Sequence, residues 1–227
     1  MCGRFFVAAD DPELRAILKE IEQENKRQGV ELPPMKTGMV FPTDYTAAKL
    51  SGKNRAPYFQ QMRWGFSSYD GKGHIINART ETILEKPTFR KPAREARCLI
   101  PASYYYEWKK APATGKKIRH IMRDPKSTTL YMAGIYRLEA QETTPRYVIL
   151  TRKAANQISG IHDRMPVILD LPAQEEWLKE DADVQGVIHQ AIERITALED
   201  FPGLNEIITS ASAQAPYCAK EEFGCLF

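Results

Sequence analysis

The chain has 227 residues, 43% of them hydrophobic and 27% charged, with a formal net charge of +3. That is an ordinary balance for a globular protein large enough to bury a core, and it excludes a disordered or strongly basic chain. The slight positive excess permits a nucleic-acid partner without arguing for one. With no leading apolar segment and no apolar run long enough to span a bilayer, the expectation is a cytoplasmic protein without membrane contact.

Met1-Cys2-Gly3-Arg4 opens the chain. Removal of Met1 would leave a cysteine with both its α-amine and its thiol free, two nucleophiles titrating near ~8 and ~8.5. Cys2 could equally be the start of a buried strand, since Phe5-Phe6-Val7 continues it as an apolar run. Asp11 before Pro12, followed by Leu14, Ile17, Leu18 and Ile21 at helical spacing, predicts a capped amphipathic helix ending near Gly29. Residues 31–44, punctuated by Pro33, Pro34 and Pro42, read as loop. Strands are predicted at Tyr45–Leu50 and Tyr58–Phe66, joined by Ser51-Gly52-Lys53-Asn54, with Tyr58, Met62, Trp64 and Phe66 on the core side. Trp64-Gly65 reads first as core plus a bend and second as a stacking surface for a nucleotide.

A short strand from Ile75 ends in the polar groups Asn77 and Arg79 and runs into one or two helical turns. Between Pro87 and Pro92 and just beyond lies a basic segment, Lys86, Arg90, Lys91, Arg94 and Arg97, able to track phosphates or simply to be solvated. Cys98–Pro101 is a strand ending, followed by Tyr104-Tyr105-Tyr106-Glu107-Trp108. Alternation there puts Tyr105 and Glu107 on one face. A carboxylate enclosed by aromatics is desolvated, which raises its pKa and suits it to act as a general acid; an exposed Glu on an edge strand is the alternative. Strands at Ile118–Met122, Thr129–Tyr136 and Arg146–Thr151 make the middle β-rich. His162, between Ile161 and Asp163-Arg164 and just before an apolar run, is an acid/base or anion-stabilising candidate, with a structural histidine as the alternative. Helices follow Pro172 and cover roughly Val184–Leu198, where His189 reads as a surface residue; Glu206–Thr209 suggests a last strand. The four cysteines, Cys2, Cys98, Cys218 and Cys225, form no C-x-x-C pair, and with four scattered histidines neither a metal nor another cofactor is expected.

In this order, Met1-Cys2-Gly3-Arg4, Trp64-Gly65, Asn77-Ala78-Arg79-Thr80-Glu81-Thr82, Cys98-Leu99-Ile100-Pro101-Ala102 continuing to Tyr106-Glu107-Trp108, and Ile161-His162-Asp163-Arg164-Met165-Pro166 resemble the SRAP family. These are the SOS-response-associated peptidase-like proteins that shield abasic sites in DNA. The resemblance implies an α+β fold, with curved, mostly antiparallel sheets forming a barrel-like core and helices outside it. One domain over residues 1–227, acting as a monomer, is the simplest organisation. It further implies that Cys2, freed of Met1, forms a thiazolidine with the ring-opened aldehyde of an abasic site. By the same resemblance Asn77, Glu107 and His162 are catalytic, while Arg4, Trp64, Arg79 and Arg164 bind DNA. The implied partner is single-stranded DNA carrying abasic sites, including single-strand/double-strand junctions.

The chain departs from the family pattern at Gly38-Met39, Ser67-Ser68 and Ser210–Gln214, all near the expected DNA groove. An amino-terminal-nucleophile cysteine hydrolase, either a peptidase or a glutamine amidotransferase-like enzyme, is the alternative. A non-catalytic single-strand-binding protein is a third reading.

Overall fold

Local codes start the fold. Strand β1 (Phe5–Val7) buries Phe5 and Val7 on one face. In helix α1 (Pro12–Gln28) the Asp11 side chain accepts from the Leu14 N–H at 3.0 Å, and Pro12 occupies the first turn. Gly29 ends the helix at φ 67°, where its N–H returns to the last-turn carbonyls. Leu14, Ile17 and Ile21 are the face that α1 buries. The structure, a computed structural model, describes residues 2–51 and 56–200. Most of the turn expected at Ser51–Asn54, the strand expected at Glu206–Thr209 and the Ser210–Gln214 departure lie outside the described residues.

The remaining elements follow in chain order as β2 (Gly38–Val40), β3 (Tyr45–Leu50), β4 (Tyr58–Trp64), β5 (Phe66–Ser67), β6 (His74–Ile75) and β7 (Asn77–Arg79), which leads into a 3-10 turn at Thr80–Thr82. After helix α2 (Pro87–Glu95) come the long strands β8 (Arg97–Ala102), β9 (Tyr104–Lys110), β10 (Lys117–Arg123), β11 (Leu130–Arg137) and β12 (Arg146–Lys153). The described chain closes with β13 (Arg164–Pro166), α3 (Leu171–Trp177), α4 (Val184–His189) and β14 (Thr196–Glu199). No helix among the described residues is long and apolar enough to cross a membrane.

The strands form the expected α+β architecture. β8, β3, β4, β12 and β11 pair in that order, and β11 returns to β8, so the sheet closes into a ring. Within the ring itself each of the five strands is paired on both sides. β12 is the hub: it runs parallel to β4 at Arg146–Tyr147 and to β7 at Ile149–Thr151, and antiparallel to β13 beyond. A second, antiparallel sheet has the order β14-β10-β9-β1-β2. One large buried cluster joins Cys2, Phe5 and the α1 face to Trp64, Tyr105, Met122 and Tyr147. A second packs Phe89 of α2 and Trp177 of α3 on the other side of the ring.

Three expectations are corrected. Residues 31–44 are not all loop, because Gly38–Val40 pairs with β1. The helix expected to reach Leu198 stops at His189. Beyond it the Ile192 N–H bonds to Ile168 O at 2.9 Å, and Thr196–Glu199 pairs with β10, so long-range pairing overrides helical spacing. Arg97 is not part of a solvated basic face. It is 8% exposed, and its guanidinium donates to the carbonyls of Trp177, Ala93, Arg94, Lys179 and Glu180, tying α2 to the segment after α3.

Candidate functional site

Residue 2 sits where three distant segments meet. β1 holds the amino-terminal stretch between β2 and β9 by antiparallel pairing, with Phe5 opposite both Val40 and Tyr105. Cys2 is fully buried and its Sγ lies 3.7 Å from Arg4 O. Asn77, at the start of β7, donates from Nδ2 to Cys2 O at 2.9 Å. β7 is in turn registered on β12, with Asn77 opposite Ile149. The Asn77 Oδ1 is buried and has no hydrogen-bond partner among the described residues. Burial pushes the Cys2 thiol up, and the charge of Glu107 adds to the effect.

Glu107 is 2% exposed, on the same face of β9 as Tyr105. Burial raises its pKa above the usual carboxylate value. His162 Nε2 lies 3.9 Å from Glu107 Oε2, too far for a direct hydrogen bond but close enough for a proton to pass through one intervening atom. Its Nδ1 is approached at 2.9 Å by two groups with opposite demands, the Arg164 N–H and Asp163 Oδ1. One nitrogen cannot both accept from an amide and donate to a carboxylate. The Arg164 amide is fixed by β13, whereas the Asp163 side chain is 85% exposed and hydrated, so the amide decides. Nδ1 therefore accepts, which leaves Nε2 as the ring nitrogen facing Glu107.

The four residues read as DNA-binding separate into two pairs. The Arg4 guanidinium lies between two aromatic rings, 4.9 Å from the centroid of Phe41 and 4.9 Å from that of Trp108. Two such cation–π contacts hold the guanidinium in place. Arg79, at the end of β7, is exposed. Trp64 offers no stacking face: it is fully buried, packs 5.1 Å from Phe5, and donates from Nε1 to Ile76 O at 3.0 Å. Gly65 at φ 105° makes the bend that the Trp-Gly pair suggested. Arg164 is committed elsewhere. It holds Glu81 with both terminal nitrogens and also Thr151 O, which welds β13 to the turn after β7. The paired guanidinium pulls Glu81 down to about 2.

Lys86, at the cap of α2, and Arg90, Lys91 and Arg94 within it are exposed. Phe41, missed in the sequence, is a large exposed aromatic directly against Arg4. Its only signal there was an aromatic next to Pro42 in a stretch read as loop. Two clefts, one between α1 and β4 and one around Lys49, Asp124 and Tyr131, contain none of these residues. Among the described residues no three His, Cys, Asp or Glu side chains converge as a metal site.

Comparison with known proteins adds the following. The family model described as SOS response associated peptidase (SRAP) matches residues 1–201. The abasic site processing protein YoqW of Bacillus subtilis (strain 168) is 41% identical over 127 residues, covering 52% of this chain and 56% of that protein. The abasic site processing protein YedK of Escherichia coli (strain K12) is 25% identical over 184 residues, covering 80% and 81%. The chain thus matches little more than half the length of YoqW. Among solved structures, a protein from Bacteroides thetaiotaomicron superimposes with a TM-score of 0.68 at 22% identity, covering 90% of this chain and 94% of that one. At that identity the likeness speaks for the fold.

Proposed function

The chain belongs to the SOS response associated peptidase (SRAP) family, and from that premise we propose that it captures abasic sites in single-stranded DNA as a covalent adduct on Cys2. Once Met1 is removed, the Cys2 amine condenses with the aldehyde of the ring-opened deoxyribose, releasing water and leaving an imine. The Cys2 thiol then adds across the same C=N bond: its sulfur joins the carbon and its proton reaches the nitrogen, closing a thiazolidine. Because this second step is intramolecular, an effective molarity of roughly 10⁵–10⁸ M favours it, and a hydrolysable imine becomes a durable adduct.

In this reading Glu107, its pKa raised by burial, protonates the departing hydroxyl and accepts the thiol proton. His162 presents Nε2 to the same region and helps open the sugar ring. Asn77 fixes the Cys2 backbone, and so the direction of its amine. Arg4 and Arg79 contact the flanking phosphates, which position the strand without reading its sequence. Arg164 serves by holding β13, and so His162, in place.

The observation that carries this reading is the convergence on residue 2 of Asn77, through its 2.9 Å bond to Cys2 O, and of the Glu107–His162 pair. Incubation with a single-stranded oligonucleotide holding one abasic site tests it. A heat-stable band on a denaturing gel, absent with Cys2→Ala, supports the reading. Absence of adduct, together with Cys2-dependent glutamine or peptide hydrolysis, would favour the hydrolase instead.

A further inference from the structure

Two tyrosines lie in the core that encloses Cys2, and only one of them uses its hydroxyl. Tyr147 of β12 shares a 2.8 Å hydrogen bond with Thr46 Oγ1 inside the ring. Tyr105 of β9 is as deeply buried, yet its hydroxyl has no hydrogen-bond partner among the described residues. Desolvating a hydroxyl without a partner is unfavourable, and buried ones are nearly always bonded. Phenylalanine would fill the same space without that cost.

The surroundings of Tyr105 indicate what the hydroxyl serves. Directly across the sheet it faces Phe5 of β1 and Met122 of β10, both apolar. On its own strand Glu107 follows on the same face, and Cys2 lies in the same buried cluster. The charges that act on the phenol are those of Cys2 and Glu107; with burial as the larger cause, they hold it well above its ordinary pKa. Such a phenol keeps its proton at any working pH and is therefore a donor, never a base. The other titratable groups around the sulfur are Glu107 of β9, His162 beyond it and Tyr147 of β12, whose hydroxyl is already engaged.

We infer that Tyr105 is a positioning residue for Cys2, its hydroxyl donating to the sulfur as the thiol loses its proton. The proton passes from Sγ to the Glu107 carboxylate, and the O–H bond of Tyr105 stays intact throughout. The hydroxyl is thus left without a partner in the resting protein because its partner is the charge that appears during the reaction. The inference rests on the proposed role of the Cys2 sulfur, but its test does not need DNA.

Processed protein lacking Met1 is alkylated with iodoacetamide from about pH 6 to about pH 10, spanning the ordinary thiol range. Labelling of Cys2 is followed by mass spectrometry of the amino-terminal peptide, so that the other cysteines do not contribute. In Tyr105→Phe the midpoint of Cys2 alkylation moves up by about one pH unit, the equivalent of losing one hydrogen bond to a charged group. Its melting temperature stays equal to or above wild type, since an unpartnered hydroxyl has been removed. Imine formation with abasic DNA, trapped by borohydride, keeps its rate, while thiazolidine closure slows. An unchanged midpoint in a folded Tyr105→Phe overturns the inference. So does a midpoint that moves in Tyr105→Leu but not in Tyr105→Phe, because ring packing then accounts for the effect. As alkylation reads the sulfur directly, Tyr105 can be tested even where no abasic adduct forms.

Discussion

Replacing Asn77 tests the geometry around residue 2 most finely, because two substitutions change one contact in different ways. In Asn77→Ala the 2.9 Å bond from Nδ2 to Cys2 O is simply lost. A hydrogen bond of this kind is worth about 1 kcal/mol net, so the amino terminus loosens by a factor of about five, and adduct formation slows by a similar factor. In Asn77→Asp the donor becomes an acceptor facing a carbonyl oxygen in a buried site. The lost bond and the desolvated carboxylate together cost about 2–3 kcal/mol, or roughly 30- to 150-fold in rate. The sign of the pH effect follows: burial disfavours the ionised Asp, and once protonated its O–H can donate to Cys2 O. The deficit of Asn77→Asp relative to Asn77→Ala therefore shrinks as pH falls. Single-turnover adduct formation at saturating abasic oligonucleotide, quantified on denaturing gels at several pH values, measures it. Equal rates for Asn77→Asp and Asn77→Ala at neutral pH, or wild-type rates for both, would refute the assignment of Asn77 as the group that orients residue 2.

Three further substitutions separate chemistry from stability. Glu107 has a folded pKa raised by burial, so its contribution to stability is present below its unfolded pKa and is lost as pH rises through the folded one. Glu107→Gln is therefore expected to raise the melting temperature at neutral pH while slowing adduct formation. For Glu81 the sign is opposite: its pKa, lowered to about 2 by Arg164, gives stability present above the unfolded value and lost as pH falls toward about 2. Glu81→Gln should flatten the acid limb of a pH–stability curve, by less than about 1 kcal/mol because the side chain is half exposed to screening solvent. Arg97→Ala removes five hydrogen bonds between α2 and the segment around the end of α3 and should cost about 3 kcal/mol or more in urea unfolding, with little change in adduct rate per folded molecule.

What could be read in the sequence was what neighbours in the chain decide. Asp11 and Pro12 start α1 and Gly29 stops it by contacts spanning a few residues, so that helix was legible to its ends. Alternation along Tyr104–Trp108 put Glu107 beside Tyr105 and away from water, and that much of the site was legible too. Contacts made across the fold were not. β2 and β14 are short strands whose partners lie more than 30 residues away in β1 and about 75 residues away in β10, and nothing local marks them. Arg164 was read as DNA-binding from the family resemblance, and its partner Glu81, 83 residues distant, could not be seen from the sequence. Arg97 looked like the end of a basic run because three of the carbonyls it holds, those of Trp177, Lys179 and Glu180, lie about 80 residues away. Trp64 was read two ways, and a hydrogen bond to Ile76 O, 12 residues on, decided for the core. The sandwich of Arg4 between Phe41 and Trp108 joins three segments that sequence spacing does not connect.

The central claim is that the amine and the thiol of Cys2 both end on one carbon of an abasic sugar. Its most direct measurement is tandem mass spectrometry of the nuclease- and protease-digested adduct formed by wild-type protein and a single-stranded abasic oligonucleotide. The account predicts an amino-terminal peptide that begins at Cys2, carries the sugar remnant less one water, has no free thiol on Cys2 and needs no reductant to survive. A remnant on any other residue, an adduct whose Cys2 thiol still alkylates, or covalent capture that proceeds with Met1 still attached would contradict it.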